Sequence, residues 1–347
     1  MGGERESLSR DELAIVLSHF DLGVVQDVQD FPRGSHLAPK LVVQTTRGRY
    51  LLKRRPAGRN DASRVAFAHD LQRFLAEKYF PLPKLIRTRE GGDLMVRHGE
   101  NLYEVFEFLP GDRYDGTFVA TYEAGKALGL YHRLVRDYRP QWQPPGGHYH
   151  LAPVVHSQLR ELPQRLAAAE SVRGREQELR RTCEFLLEAY EIAGQAAEGE
   201  GLLKWEQQIV HSDWHPGNIL FRAGHVVAVI DYDAARIQQR VMDIANGVLQ
   251  FSLETATRDP ETWPDEADRA RAKRFLRGYD EADVLTAAEL SVVPLLMQEA
   301  FIAEVVVPIW KTGTFARIDG FRFLKMVVRK IRWLQQNRQP LVEGLDD

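Results

Sequence analysis

The sequence predicts an α+β protein in two lobes, an antiparallel β lobe over residues 1–108 and a mainly helical lobe over residues 109–347. Three observations lead there. Before residue 109, short β-branched and aromatic runs alternate with Gly- and Pro-containing turns, as in strands joined by hairpins. After it, long stretches repeat their apolar residues at helical spacing. Within that helical part, residues 209–246 form a strand-and-turn segment that carries acids and an amide at fixed spacing. A chain of 347 residues, 44% hydrophobic, is long enough to bury a sizeable core.

Taken in order, Ser9-Arg10-Asp11-Glu12 has the capping-box spacing and opens an amphipathic helix. Gly23–Val28 and Lys40–Thr46 read as strands around a turn at 31–36. Arg47-Gly48 closes a second hairpin into Tyr50–Lys53. Residues 61–78 are helical and end at Pro81 and Pro83. Lys84–Thr88 and Leu102–Leu109 read as strands joined by the Gly91-Gly92 turn, and the second breaks at Pro110-Gly111. Glu123–Asp137 is helical, with His132 expected to pack or cap.

The Pro/Gly/aromatic loop 139–150 offers Trp142, His148 and His150 as candidates for substrate contact. His148 and His150 have no third ligand nearby, so a metal site is not expected there. Helical patterns follow at about 152–169 and 173–198, then from Val241, with a second capping box at Thr286–Glu289 and a proline, Pro294, expected to kink its helix. The basic residues of Phe323–Trp333 face solvent or an anionic substrate tail.

The formal net charge of −3 carries no basic excess, so nucleic acid is not an expected partner. The single cysteine, Cys183, precludes an internal disulfide and fits a reducing compartment; its helical surroundings predict a buried apolar role. No N-terminal apolar core and no run near 18 apolar residues is evident, so a cytoplasmic protein without membrane attachment is expected.

In the central stretch, Ile209-Val210, Ile219–Phe221 and Val226–Ile230 read as strands, the last two joined by the Ala223-Gly224 turn. The loop His211–Asn218 carries Asp213 and, five residues on, Asn218, while Asp231 ends the following strand. Phosphoryl transfer uses this inventory: a carboxylate to position the attacking hydroxyl, and hard oxygen ligands to hold Mg²⁺ on nucleotide phosphates. Asp213 is therefore the expected catalytic residue, with His211 expected to orient the loop by hydrogen bonding. Asn218 and Asp231 are the expected metal ligands. Asp233 is either a second metal contact or a residue supporting Asp231.

The order H-x-D-x-x-x-x-N, apolar strand, Asp matches the kinase pattern H-R-D…N…D-F-G. Ser212 in place of Arg, the loop Trp214-His215-Pro216-Gly217 and the ending Ile230-Asp231-Tyr232-Asp233 resemble the aminoglycoside phosphotransferase and choline kinase superfamily. With Lys53, the hinge-like EFLPG and the stretch Phe275–Leu290, the resemblance covers nearly the whole chain. It is nearest the branch with type II bacterial homoserine kinase and spore-coat CotS-like proteins.

The resemblance implies a protein-kinase-like fold, with residues 1–108 as the nucleotide-binding lobe and 109–347 as the catalytic and substrate lobe. It implies ATP- and Mg²⁺-dependent phosphorylation of a small-molecule hydroxyl, such as that of the amino alcohol homoserine. Lys53 would neutralise phosphate charge, and the backbone of the Gly34-Ser35 turn would face the phosphates, although alone it is equally a plain hairpin turn. Adenine would meet main chain at Glu107 and Leu109, and Asp243 would brace the catalytic loop. One departure stands out: the helix Glu that pairs with the strand Lys is here Ala68 or His69, leaving Asp70, Glu77 or a neutral His69 as substitutes. Two other readings remain open. One is an aminoglycoside-type antibiotic phosphotransferase served by the acidic stretches Glu261–Asp268 and Glu343–Asp347; the other is a CotS-like coat or interaction protein on a kinase scaffold.

Overall fold

The computed structural model describes residues 8–31, 38–55, 58, 60–254, 257 and 259–344. The fold is α+β. Helix α1 (Arg10–Ser18) opens on the expected capping box, with Ser9 and Glu12 bonding each other's backbone. Strands β1 (Val25–Asp30), β2 (Lys40–Thr45), β3 (Gly48–Arg55), β4 (Val96–His98) and β5 (Asn101–Glu107) form one antiparallel sheet in the order β1-β2-β3-β5-β4. Gly34 and Ser35 lie outside the described residues. Helix α2 (Ala62–Glu77), capped by Asp61, runs between β3 and β4.

Lys84–Thr88 is not the strand its sequence suggests. It makes only isolated bridges, Leu85 to Phe106 and Thr88 to Phe20. The short β4 takes the outer edge of β5 at Asn101–Tyr103, so the earlier segment meets β5 only near its end.

Strand alternation divides the sheet into two faces. Leu41, Val43, Leu52, Tyr103 and Val105 pack with Val16 and Phe20 under α1. Leu51, Lys53, Arg55 and Phe106 line a cleft on the opposite face. Burying Leu52 under α1 is what turns Lys53 toward that cleft.

The helical part begins with α3 (Phe118–Val135), α4 (Pro153–Arg165) and α5 (Glu176–Gly199). Two antiparallel ribbons follow: β6 (Gln207–Val210) with β9 (Arg236–Gln239), and β7 (Ile219–Arg222) with β8 (His225–Val229). The chain continues through α6 (Arg240–Ser252), α7 (Arg269–Ala282) and α8 (Ala287–Thr312). The small ribbon β10 (Thr314–Phe315) and β11 (Ile318–Asp319), then α9 (Gly320–Gln336) and α10 (Arg338–Val342), complete it. Helix α8 starts at the second expected capping box, Thr286 with Glu289. By length and composition α8 alone among the described helices would span a membrane, yet 83% of its most apolar window is buried inside the protein. Cys183 is buried in α5, and burial pushes its thiol up to about 12, so it packs rather than reacts.

Glycines let two helices approach closely. A Cβ on Gly125 of α3 would lie 2.0 Å from the Phe275 carbonyl oxygen, and one on Gly278 of α7 would lie 2.0 Å from that of Tyr122. This contact sets Tyr279 of α7 against His132 of α3, Oη to Nδ1 at 2.8 Å.

Candidate active site

The catalytic loop is held from behind. Asp243 of α6, 1% exposed, accepts the backbone N–H groups of His211 (2.8 Å) and Ser212 (2.9 Å), the bracing role the resemblance implied. His132 Nε2 lies 3.2 Å from the same carboxylate, so the chain Tyr279–His132–Asp243 leads from the α3–α7 contact to the loop. These bonds keep Ser212 at φ +62°, and Asp231 stands at φ +67° at the end of the next ribbon. Non-glycine residues persist in this region only where surrounding contacts hold them, which is common at functional sites.

His211 departs from expectation. Its ring is fully buried, edge-on to Trp214 and tilted against Tyr232, and neither ring nitrogen has a hydrogen-bond partner among the described residues. Burial pushes its pKa down, so the ring is neutral. It lines neither of the cavities below. His211 therefore meets the loop by packing and not by the hydrogen bonds expected of it.

Two cavities meet at this loop. The first, about 200 Å³, lies between the sheet and the ribbons and is lined by Lys53, Glu107, Leu109, Asn218 and Asp231, among others. Leu51, Phe106, Leu220 and Ile230 give it apolar walls suited to a flat base. The Glu107 N–H already donates to the Lys84 carbonyl (2.8 Å), which leaves Leu109, whose main chain makes no hydrogen bond among the described residues. Lys40, paired in register with Lys53, also lines this cavity; burial, then Lys53, holds its pKa below the usual lysine range. The sequence reading passed over Lys40 because nothing in the motif order points to it.

Lys53 finds its acids elsewhere than on α2. Asp70 is engaged by Arg73 (2.7 Å) and the Tyr138 hydroxyl (2.7 Å), and Glu77 lies near Arg73. Lys53 Nζ instead donates to Asp233 (3.1 Å) and lies 4.0 Å from Asp231. Burial opposes its charge, but Glu104 and Asp233 outweigh that and hold its pKa above the usual lysine range. Asp233 thus acts through Lys53 and Arg55, and burial is again outweighed by these cations, so its carboxyl stays well below the ordinary range.

The second cavity, about 470 Å³, opens on the other side of the loop and includes Asp213, His215, His148, Arg236 and Glu304. The Asn218 amide nitrogen joins the two: it donates to the Asp213 carbonyl (3.0 Å) and carboxylate (2.8 Å). That leaves the Asn218 amide oxygen free to take a cation. His215 accepts the Gly217 N–H at Nδ1 (3.0 Å) and presents Nε2 3.6 Å from Asp213. Burial would raise the Asp213 pKa, but His215 and Asn218 together hold it below the usual carboxylate range. His215 shows the converse, burial outweighed by Asp213 and its pKa raised.

Glu304 of α8 faces this cavity with Gln250 (2.6 Å) as its hydrogen-bond partner and no salt bridge among the described residues. It keeps an exposed face; packing against the cavity wall raises its pKa, which His215 opposes and Asp213 aids. Arg236 of β9 donates to the carbonyls of Ala234 (2.9 Å) and Gly147 (3.0 Å) and has no carboxylate partner. Neither residue was singled out from sequence; the available signal for Glu304 is an acid within an apolar helical run. Of the loop candidates, His148 reaches the cavity. His150 is buried on Glu299 (2.8 Å) and Trp142 lies in a groove by α2.

The acidic stretch after α6 and the basic face of α9 neutralise each other. Glu261 meets Lys325 (2.6 Å) and Arg322 (3.4 Å), and Asp265 meets Arg329 (2.5 Å). Lys330 is buried on the carbonyls of Pro264 and Glu266 (2.8 and 3.1 Å), and burial pulls its pKa down to about 8.

Residues 28–290 match the model of the phosphotransferase enzyme family. A homoserine kinase of Granulibacter bethesdensis is 25% identical over 298 residues, covering 84% of this chain and 82% of its own. Among solved structures, an aminoglycoside phosphotransferase from Alicyclobacillus acidocaldarius superposes with a TM-score of 0.70 at 16% identity, covering 99% and 98% of the two chains. The amicoumacin kinase hAmiN, solved in complex with AMP-PNP, Ca²⁺ and Ami, gives a TM-score of 0.66 at 15% identity over 97% and 96%. The family match spans most of the chain and takes in both cavities' catalytic loop. The chain belongs to the phosphotransferase enzyme family and is a small-molecule kinase.

Proposed function

We propose that the protein transfers the γ-phosphoryl group of ATP, with Mg²⁺, to the hydroxyl of a small amino alcohol that also carries a carboxylate, of which homoserine is the simplest example. The observation that carries the acceptor class is Glu304: an exposed carboxylate on the same cavity as Asp213, with no salt bridge among the described residues. An ammonium group on the acceptor would pair with it. Arg236, a guanidinium with no carboxylate, suits the other end of an amino acid. One anion and one cation beside the base favour a zwitterion over a polycation. The homoserine kinase relative supports this reading.

The geometry supports these roles. Lys53, kept cationic by its acids, neutralises phosphate charge. Among the described residues no three His, Cys, Asp or Glu side chains are disposed to hold a metal alone, which fits an ion shared with phosphate oxygens. Asn218 and Asp231 would hold Mg²⁺, which when bound shields the charge of the transferring group. Asp213 orients the acceptor hydroxyl and accepts its proton. Its lowered pKa makes it a weak base, so most of the rate comes from positioning and electrostatics.

Purified protein with Mg·ATP, assayed against hydroxy amino acids, amino alcohols without a carboxylate, sugars and aminoglycosides, tests the proposal. The hydroxy amino acids should give the highest kcat/KM. Aminoglycosides turned over faster would overturn the acceptor assignment.

A further inference from the structure

Helix α2 offers no carboxylate to Lys53, since its residues at the relevant place are the buried Ala68 and His69. The negative charge lies on the sheet. Glu104 of β5 is the register partner of Lys53 and is completely buried. It accepts Arg55 Nε (2.5 Å) and Nη2 (3.1 Å), and His69 Nε2 lies 2.5 Å away. Burial would raise the Glu104 pKa, but Lys53, Arg55 and His69 bring it down to about 2; it is a carboxylate, and His69 therefore donates. The other N–H groups of Arg55 cross the cleft to Asp233, Nη1 to Oδ2 at 2.8 Å and Nη2 to Oδ1. The guanidinium is bidentate on both sides.

We propose that Glu104, Arg55 and Asp233 form an ion-pair latch between the nucleotide lobe and the segment bearing Asp231, which holds Lys53 toward the phosphates in place of a helix acid. His69 orients Glu104 from behind. Because all three guanidinium nitrogens of Arg55 are engaged by the two carboxylates, it positions and Lys53 contacts. Because Asp233 is two residues beyond Asp231, the latch also sets the distance between the metal-holding carboxylate and the phosphate-facing lysine before nucleotide arrives. A planar guanidinium is required; an ammonium cannot bridge two carboxylates in this way.

Titration of Mg·AMP-PNP into the full-length protein by calorimetry tests the latch without any acceptor, so it is judged separately from the amino-alcohol assignment. Glu104→Gln, Arg55→Lys and Asp233→Asn should each weaken nucleotide binding by about tenfold. Glu104→Gln combined with Asp233→Asn should lose little more than the worse single variant, because both act through one arginine. Asp233→Asn lies on the open side of the cleft and serves as the probe if a substitution at the buried Glu104 fails to fold. In turnover, KM for ATP should rise while KM for the acceptor stays within about twofold of wild type, a split that simple destabilisation would not produce. His69→Glu should also weaken nucleotide binding, since it sets a second carboxylate against Glu104. Unchanged or tighter binding in Asp233→Asn, fully additive losses, or tighter binding in His69→Glu would overturn the latch.

Discussion

Asp231 and Glu304 show how much one carboxylate depends on its neighbours. Asp231 lines the cavity beneath the sheet with Lys53, 4.0 Å away, as its only ion partner among the described residues, as the proposed role of a metal ligand requires. Asp231→Ala should remove the Mg²⁺ enhancement of ATP binding, measured by titrating ATP with and without the metal; a full enhancement would put the ion elsewhere. Glu304 lines its cavity beside His215, Asp213 and Gln250 and keeps an exposed face; desolvation raises its pKa and His215 opposes the rise. As pH falls its carboxyl loses charge and His215 gains it, both unfavourable to an ammonium group, so KM for an amino alcohol should rise toward acid pH. Glu304→Gln should flatten that profile and raise KM by up to about fivefold, the scale of an ion pair open to solvent.

At the scale of elements, helix packing governs the loop. The α3–α7 contact admits no side chain at Gly125 or Gly278, and it presents Tyr279 to His132 and so to Asp243. Gly278→Ala should cost about 3 kcal/mol of stability by overpacking against the Tyr122 carbonyl, read as a lower midpoint in chemical denaturation. It should also lower kcat more than it changes KM for ATP, because the disturbed chain ends at the catalytic loop and not at the sheet. Equal stability in the variant would mean that the helices can part at little cost. Elements themselves were legible where a local signal defined them: both capping boxes, the Ala223-Gly224 turn and α2 between Asp61 and its prolines. Lys84–Thr88 was misread because β-propensity says nothing about which strand will occupy an edge.

For the whole molecule, the division between legible and hidden follows sequence distance. Asp213, Asn218 and Asp231 lie within one ribbon pair, so their spacing alone announces phosphoryl transfer. Glu104, Arg55 and Asp233 come from β5, β3 and the segment after β8, and only folding shows that they meet. On the proposed latch, the acid that α2 lacks is offset by one on the sheet. The second cavity is hidden for the same reason, since α8 contributes Glu304, β9 Arg236 and the catalytic loop Asp213 and His215. Sequence did single out two charged stretches, Glu261–Asp268 and the α9 face, but these engage each other on the surface. A charge run is informative about a ligand only when no complementary run of the same chain packs against it.

The proposed function requires Asp213 to act on the acceptor across the loop from the nucleotide, and one comparison tests this most directly. Phosphoryl transfer from Mg·ATP and the affinity for Mg·AMP-PNP are measured side by side in wild type and in Asp213→Asn. The expected result is a fall in kcat of about 10²–10⁴ with nucleotide affinity nearly unchanged, because the carboxylate lines the cavity proposed for the acceptor and its loss removes a base. Turnover within a few-fold of wild type, or a matching loss of nucleotide affinity, would contradict it.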